Sequence, residues 1–572
     1  MENIYLLMIV ALAVLAAADL VVGVSNDAVN FLNSAIGSKA VSFKTIMIVA
    51  SLGVAVGAIF SSGLMEVARK GIFNPGEFMF DEIMIIFMAV MITDVLLLDF
   101  FNTVGMPTST TVSIVFELLG ASVAMALIKI GEGGGSVLDL INYINTSKAT
   151  EIILGILLSV VIAFSVGAVV QWVSRALLSF NFEKNAKWTA ALFGGIALTA
   201  ITYFIFVKGI QGTPYADERF TLTGGATIKD FLEAKVFLIV GISLVFWSLL
   251  SWLFMAFFKT NIYKLIILVG TFALALAFAG NDLVNFIGVP IAGWQSYEAW
   301  TASGIPADAF GMDVLASKVT TPTFLLLIAG IIMVATLWFS GKAKSVVKTS
   351  IDLSSQSDIK ERFQPNFLSR GLVRLIIAMA SMASYILPDS WQAKIEKQFK
   401  QPVIVLPRNK IYELPAFDMV RAAVNLMVAS VLISVATSMK LPLSTTYVTF
   451  MVAMGTSLAD RAWGSESAVY RVAGVLNVIG GWFFTALIAF VVAGIIAYLM
   501  NLHVPSVTAV LLLIAILILV RNYISHNKKA KELKAGDRLK KAESKSIQGV
   551  IEESAKNISA VVNRGAKILE AA

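Results

Sequence analysis

The segment Asn26-Asp27-Ala28-Val29-Asn30-Phe31 returns about 255 residues later as Asn281-Asp282-Leu283-Val284-Asn285-Phe286. Each copy is followed by a second shared run, Pro107-Thr108-Ser109-Thr110-Thr111 in one case and Pro442-Leu443-Ser444-Thr445-Thr446 in the other. All four lie among long apolar runs, where a charged side chain costs roughly 3 kcal/mol or more unless something neutralises it. A chain that repeats costly polar residues twice in one order reads as two related halves around a shared polar centre, the plan of a duplicated membrane transporter.

Composition places that plan in a bilayer. The 572 residues are 58% apolar and only 14% charged, with a mean hydropathy of +0.83, against roughly 25% charged residues in soluble domains. Apolar runs of about 17 to 25 residues occur thirteen times, near 4–24, 43–65, 83–100, 108–130, 151–176, 188–208, 231–258, 262–280, 323–340, 416–438, 443–459, 471–500 and 505–524. Hydrocarbon forbids unpaired backbone, so these runs predict an all-α polytopic membrane protein of about 12–13 transmembrane segments. Gly, Pro and hydroxyl residues around Asn26, Ser109, Asn281 and Ser444 predict re-entrant or broken helices at the centre. The first twenty residues have no basic start and no cleavage site and are read as a retained span. With no Cys and only His503 and His526, thiolate chemistry is excluded and neither a His metal centre nor a His proton relay is expected.

Two polar segments orient the chain. Residues 341–415 and 521–572 each hold twelve Lys/Arg against six Asp/Glu, which assigns both to the cytoplasm of a cell-membrane protein. Counting back puts the N-terminus outside. Loops 177–187 and 259–264, with Lys184, Lys187 and Lys259 among their cations, fall inside; 281–322, with Glu298, Asp308 and Asp313, falls outside. The loop 66–82 fits less well, since Arg69 and Lys70 lie on its assigned outer side. Under this topology the two Asn-Asp motifs run in opposite directions, as do the two Ser-Thr-Thr runs, so the halves form inverted repeats. The expected division is 1–180 as the first repeat, 181–260 as connecting helices, and 261–340 as the start of the second repeat. A cytoplasmic linker at 341–415, the rest of the second repeat at 416–524 and an amphipathic cytoplasmic tail at 525–572 complete it. Within the linker, residues 371–387 have an apolar helical face suited to a membrane surface or to packing on the transporter. Ile547, Val550, Ile551, Ile558, Val561 and Val562 give the tail a face that needs a partner helix.

The chemistry lies in the repeated motifs. Asn-Asp-x-x-Asn sets a carboxylate beside two carboxamides, and a bound cation is its natural partner. Such oxygens, with hydroxyls and carbonyls freed at a broken helix, suit Na⁺, while a carboxylate alone suits H⁺. The plainer alternative is an Asp or Asn cap ending a span. Pro-x-Ser-Thr-Thr reads as a helix start, whose unpaired N–H groups and positive dipole end make an anion site before any side chain is counted. Ordinary capping is the alternative there too. Two copies of both favour function. Asp19, Asp94, Asp99 and Glu117 face either a cavity or a helix neighbour. Arg421, one turn after Asp418, is placed to pair with it, and Arg175 and Lys264 are expected to snorkel to the cytoplasmic surface. No ATP-binding loop or catalytic triad is present, so no enzyme activity is expected.

Gly23-Val24-Ser25-Asn26-Asp27-Ala28-Val29-Asn30 and Gly280-Asn281-Asp282-Leu283-Val284-Asn285, each followed by Pro-x-Ser-Thr-Thr, resemble the signatures of the inorganic phosphate transporter (PiT) family. The resemblance implies a symporter of inorganic phosphate coupled to Na⁺ or H⁺, an inverted-repeat fold and a homodimer. Carried onto matching positions, it makes Asp27, Asn30, Ser109, Thr110, Thr111, Asp282, Asn285, Ser444, Thr445 and Thr446 phosphate contacts, and Asn26, Asp27, Asn281 and Asp282 the Na⁺ ligands. This chain departs from the family pattern at Val112 and Tyr447, where relatives commonly have His, and near Phe116 and Glu117. The tail faintly resembles the first of the PhoU-like helices appended to some relatives. A sulfate permease of the same fold is the alternative within the class; an anion-sensing receptor or a channel is the alternative outside it.

Overall fold

The computed structural model describes residues 2–59, 71–182, 187–203, 205, 218–219, 225–258, 260–316, 322–355, 366–371, 373–375, 378, 388–400, 415–439, 443–461 and 467–543. Among these residues the regular structure is helical, with isolated β-bridges only. The principal helices are α1 (Glu2–Ser38), α2 (Phe43–Ile59), α3 (Phe80–Val104), α4 (Thr110–Glu132), α5 (Thr146–Leu178), α6 (Lys187–Thr202) and α7 (Val236–Phe258). They continue as α8 (Ile262–Ser303), α9 (Thr323–Phe339), α10 (Gly341–Ser354), α11 (Met419–Ser438), α12 (Thr445–Ala459), α13 (Ser467–Leu502) and α14 (Val504–Glu543). Chain contacts divide the protein into two units, 1–402 with 415–512 and 403–414 with 513–572. The repeated motifs all belong to the first.

Nine of the described helices are long and apolar enough to cross a bilayer, ten when α9 and α10, which meet at a 69° bend, count as one span. The chain is therefore a multi-pass membrane protein. The other three expected spans hold α2, α6 and α12, described over 17, 16 and 15 residues. α12 falls below the roughly 20 residues of a full crossing for a local reason: Ser444 starts the helix inside the protein, where it is 1% exposed.

The largest departure from the sequence reading is at the Asn-Asp motifs. Both were expected at span ends or helix breaks, yet α1 runs unbroken for 37 residues through Asn26 and α8 for 42 through Asn281. At 1.5 Å per residue these helices reach about 55 and 63 Å, well beyond a hydrocarbon core of about 30 Å. The helices stay whole because the motif side chains bond to other elements, leaving the local backbone ladder intact. The breaks lie at the Ser-Thr-Thr runs. There α3 turns into α4, and α11 into α12, as two helical hairpins. Gly105 closes α3 in the left-handed region (φ 75°), its N–H meeting the carbonyls of Phe101 and Asn102, and Ser109 then caps α4. That is the glycine-closed helix end followed by a hydroxyl cap.

Close helix packing sets the frame around these tips. α1 crosses α8 where Gly23 leaves room for the Phe286 ring; a β-carbon on Gly23 would stand 2.1 Å from that ring. α2 lies against α8 at Gly57, whose β-carbon would stand 2.4 Å from the carbonyl oxygen of Leu276. Small residues of this kind let membrane helices approach without a hydrophobic driving force. The segment expected as a linker, 341–415, begins with α10 over 341–354, a helix that buries Ala343, Val346, Val347, Ser350 and Leu353 against the bundle. Most of the amphipathic stretch at 371–387 and the tail face from Ile547 onward lie outside the described residues, as do Arg69, Lys70, Lys184, Lys259 and Pro442.

Candidate functional site

The two hairpin tips and the two long helices meet at one cluster. Asp27 on α1 accepts hydrogen bonds from Thr110 Oγ1 of the first tip, 2.9 Å, and from Thr446 Oγ1 of the second, 3.1 Å. Asp282 on α8 accepts from Thr445 Oγ1 at 2.5 Å and Thr111 Oγ1 at 3.1 Å. Exchanging each residue for its copy turns the first set of bonds into the second. The carboxamides obey the same exchange: Asn30 Nδ2 donates to Thr445 and Thr446 Oγ1, both 3.1 Å, and Asn285 Nδ2 to Thr110 and Thr111 Oγ1 at 3.4 and 3.0 Å. Each threonine hydroxyl thus gives its proton to a carboxylate and receives one from a carboxamide. All eight side chains are buried, Asp27 and Asp282 at 0% exposure.

Ser109 and Ser444 play a different part in this arrangement. Their hydroxyl oxygens accept from the backbone N–H of Val112 and Tyr447, both at 3.1 Å, as N-caps of α4 and α12. Thr110, Thr111, Thr445 and Thr446 in the two first turns all bond to Asp27 or Asp282, so two positive helix ends meet at a site that carries two Asp side chains.

The exchange fails at the first Asn of each motif. Asn26 Oδ1 accepts from the backbone N–H of Thr108 at 3.0 Å, and its Nδ2 donates to Asn102 Oδ1 at 2.9 Å and to the Met106 carbonyl at 3.3 Å. Asn102 in turn donates to the Val22 carbonyl at 2.7 Å. Asn281 Nδ2 reaches Asp282 Oδ1 and the Leu443 carbonyl, 3.1 and 3.2 Å, while its Oδ1, buried, accepts from no donor among the described residues. The two half-sites are alike at the Asp, the second Asn and the two Thr, and unlike at the first Asn.

Several participants carried no repeated sequence signal. Asn102 is a single residue in an apolar helix. Thr449 Oγ1, 3.2 Å from Asn30 Oδ1, corresponds to Ile114 in the first hairpin. On α13, Thr485 Oγ1 lies 2.9 Å from Thr108 Oγ1, and Trp482 Nε1 donates to the Pro107 carbonyl at 3.4 Å. The Trp482 ring stacks on Tyr447 with centroids 3.8 Å apart, so one helix touches both tips. Tyr447, one of the departures from the family pattern, is a packing residue here.

The other membrane-buried charges are also placed. Asp19, Asp94 and Glu117 are fully buried and gather within electrostatic reach of one another, with Ser113 Oγ donating to Glu117 Oε1 at 2.7 Å. Three carboxyls in an apolar interior are costly as anions. Arg175 does not snorkel. It is wholly buried, donating to Asp460 from Nε and Nη2 at 2.8 and 2.7 Å and to Asp418 from Nη1 and Nη2 at 2.7 and 3.1 Å. Asp418 therefore pairs with Arg175. It meets Arg421 only at the backbone N–H, 2.9 Å, while the Arg421 guanidinium donates to the Ser354 carbonyl.

An all-helical, multi-pass membrane protein whose buried carboxylates, carboxamides and hydroxyls converge at the tips of two hairpins is built as a transporter and not as an enzyme. Residues 23–350, more than half of the chain, match the phosphate transporter family, and the chain belongs to that family. It is 25% identical over 316 residues to "Putative phosphate permease TK2061" of Thermococcus kodakarensis, covering 54% of this chain and 68% of that protein. It is 23% identical over 312 residues to "Putative phosphate permease PF1020" of Pyrococcus furiosus, covering 54% and 67%. The solved structure of "The sodium-dependent phosphate transporter" superposes with a TM-score of 0.57 at 16% identity, covering 87% of this chain and 99% of that one. At 87% of this chain, the likeness of fold runs beyond residue 350.

Proposed function

We propose that this chain is a secondary-active symporter that brings inorganic phosphate across the cell membrane with Na⁺, by alternating access between two inverted halves, with H⁺ as the alternative coupling ion. The observation that carries the reading is the exchange of hydrogen bonds among Asp27, Asn30, Thr110, Thr111, Asp282, Asn285, Thr445 and Thr446. Phosphate is an anion with acceptor oxygens and, near neutral pH, at least one O–H. The converging helix starts and the carboxamide N–H groups supply donors, and Asp27 and Asp282 supply acceptors for that O–H. Ser109 and Ser444 hold the helix starts in place while their own hydroxyl protons remain free to point at the anion.

Two carboxylates beside an anion are tolerable only with cations, and Na⁺ supplies that charge. Asn26, Asp27, Asn281 and Asp282 offer the hard oxygens it prefers, and the unpaired Oδ1 of Asn281 beside Asp282 fits such an ion. The structural neighbour is a sodium-dependent phosphate transporter, which supports Na⁺ over H⁺. The reading retains the division into two repeats about the 341–415 segment, a cytoplasmic linker and tail, and a homodimer. Radiolabelled phosphate uptake into proteoliposomes, with Na⁺ and pH gradients imposed separately, tests the coupling. Stimulation by an inward Na⁺ gradient at constant pH is expected, and uptake indifferent to Na⁺ but driven by a pH gradient overturns that part. Asp27→Asn and Asp282→Asn, which keep shape and remove charge, should each abolish coupled uptake; normal uptake by both sinks the cation assignment.

A further inference from the structure

We propose that α10 is a gate helix over the phosphate site, and that Lys342 is the positioning residue that latches it shut through Asp99. The proposal rests on the transport reading above and adds a moving part to it. α10 leaves α9 at the 69° bend and runs back along the stretch of α1 that carries Asp27 and Asn30. Ser340, which caps α10, meets Ser25 Oγ at 2.7 Å, one residue before Asn26. Two and a half turns on, Ser350 Oγ accepts from Asn33 Nδ2 at 2.8 Å. Between them Ser345 lies against the first hairpin's turn, its Cβ 3.6 Å from where a β-carbon on Gly105 would stand.

Both ends of α10 are held by cationic contacts. Near its start Lys342 Nζ donates to Asp99 Oδ1 of α3 at 2.5 Å, with the two side chains only 13% and 6% exposed. At its end the carbonyls of Ser354 and Ser355, which a helix C-terminus leaves unpaired, accept from Arg421 at the base of the second hairpin and from Arg471 on α13. The two grips are unequal. Arg421 is fully buried, yet its Nε and Nη1 have no hydrogen-bond partner among the described residues, and its guanidinium lies over the Phe417 ring. A guanidinium hydrogen-bonded through one of three nitrogens gains by exchanging partners, whereas Lys342 already holds an acidic one. α10 thus connects α1, the first hairpin and the base of the second through polar contacts that can be made and broken, set around the buried apolar face of Ala343, Val346, Val347 and Leu353. Those polar contacts are the ones that must exchange for the helix to leave its seat.

The chain contains no cysteine, so single thiols can be introduced cleanly. In Asn33→Cys/Ser350→Cys, oxidation should form a disulfide between α1 and α10 and stop phosphate uptake into proteoliposomes, with reductant restoring it. Phosphate uptake by the reduced variant is the control: its absence there, and in the parent, would count against the transport reading and leave the latch out of account. Uptake at the reduced rate by fully cross-linked protein overturns the gate. A second measurement needs no cross-link. Ser350→Cys should react slowly with a membrane-impermeant thiol reagent supplied on both sides, and adding Lys342→Gln should speed the reaction about tenfold or more, the effect on an equilibrium of losing a buried charge-assisted hydrogen bond. The swap Lys342→Asp/Asp99→Lys should slow it again. Reactivity that Lys342→Gln does not change, or that the swap does not reverse, refutes the latch.

Discussion

Thr445 is the hydroxyl on which the central cluster depends most asymmetrically. Its Oγ1 donates to Asp282 Oδ2 at 2.5 Å and accepts from Asn30 Nδ2 at 3.1 Å, so it joins the second hairpin to both long helices. The other Asp282 oxygen, Oδ1, takes bonds from Thr111, Asn281 and Asn285, at 3.1, 3.1 and 3.2 Å. Thr445→Ala therefore strips Oδ2 of its donor and leaves Oδ1 served. Asn30 keeps Thr446, so its loss is partial. The cost is that of one hydrogen bond to a charged acceptor in a buried site, about 1.5 to 3 kcal/mol. If the cluster must be assembled to hold phosphate, apparent affinity falls about 10- to 150-fold. Thr445→Ser, which restores the hydroxyl and removes only a methyl, should return most of it. Calorimetric titration of phosphate into purified protein at saturating Na⁺ measures the first quantity, and thermal unfolding without phosphate reports stability separately. Affinity within twofold of the parent in Thr445→Ala, together with a lowered unfolding temperature, would reduce this hydroxyl to a structural brace and refute its part in the site.

Other consequences are as open to test. Ser109→Leu and Ser444→Leu remove a cap and place bulk at a helix start, so each should eliminate phosphate binding in the same titration; parent-like binding in folded protein would move the anion elsewhere. Unlabelled sulfate at equal concentration should compete only slightly with labelled phosphate uptake, because a fully deprotonated anion offers no O–H to Asp27 or Asp282; strong competition would favour sulfate as substrate. Arg175→Met leaves Asp460 and Asp418 without their buried cation and should destabilise the protein by about 3 kcal/mol or more, read from denaturant or thermal unfolding in detergent; unchanged stability would contradict the ion network. Gly23→Leu drives a side chain into Phe286 and should disrupt the α1–α8 crossing, lowering uptake and stability together, whereas loss of neither would mean that the crossing adapts.

The sequence disclosed the site more fully than the path of the chain through it. The repeated residues are the ones that converge, because burying Asp, Asn and Thr in an apolar protein is worthwhile only where they can bond to one another. The helix starts at Ser109 and Ser444 were legible for an equally local reason, since an N-cap is written in a few neighbouring residues. Continuity through Asn26 and Asn281 was not. Their carboxamides look like helix-ending caps until their partners are known, and those partners are Asn102, Thr108 and Leu443, distant in sequence. Trp482 and Thr485 were hidden because they occur once and look like ordinary residues of an apolar helix. α10 lies within the segment that its lysines marked as a linker, although Ala343, Val346, Val347, Ser350 and Leu353 recur at helical spacing and mark a buried face. Arg175 shows the limit of snorkelling as a rule: a cation near a span end goes to water unless acids elsewhere in the chain arrive to meet it.

Those acids belong to the two legs of one hairpin, Asp418 just before α11 and Asp460 just after α12. A single planar cation from α5 therefore acts as a rivet through the open end of the hairpin, and a structure riveted at its base cannot splay its legs to relieve a load. Displacement imposed at Thr445 and Thr446 must instead be carried along α11 and α12 as along a stiff lever, with α5 drawn after them.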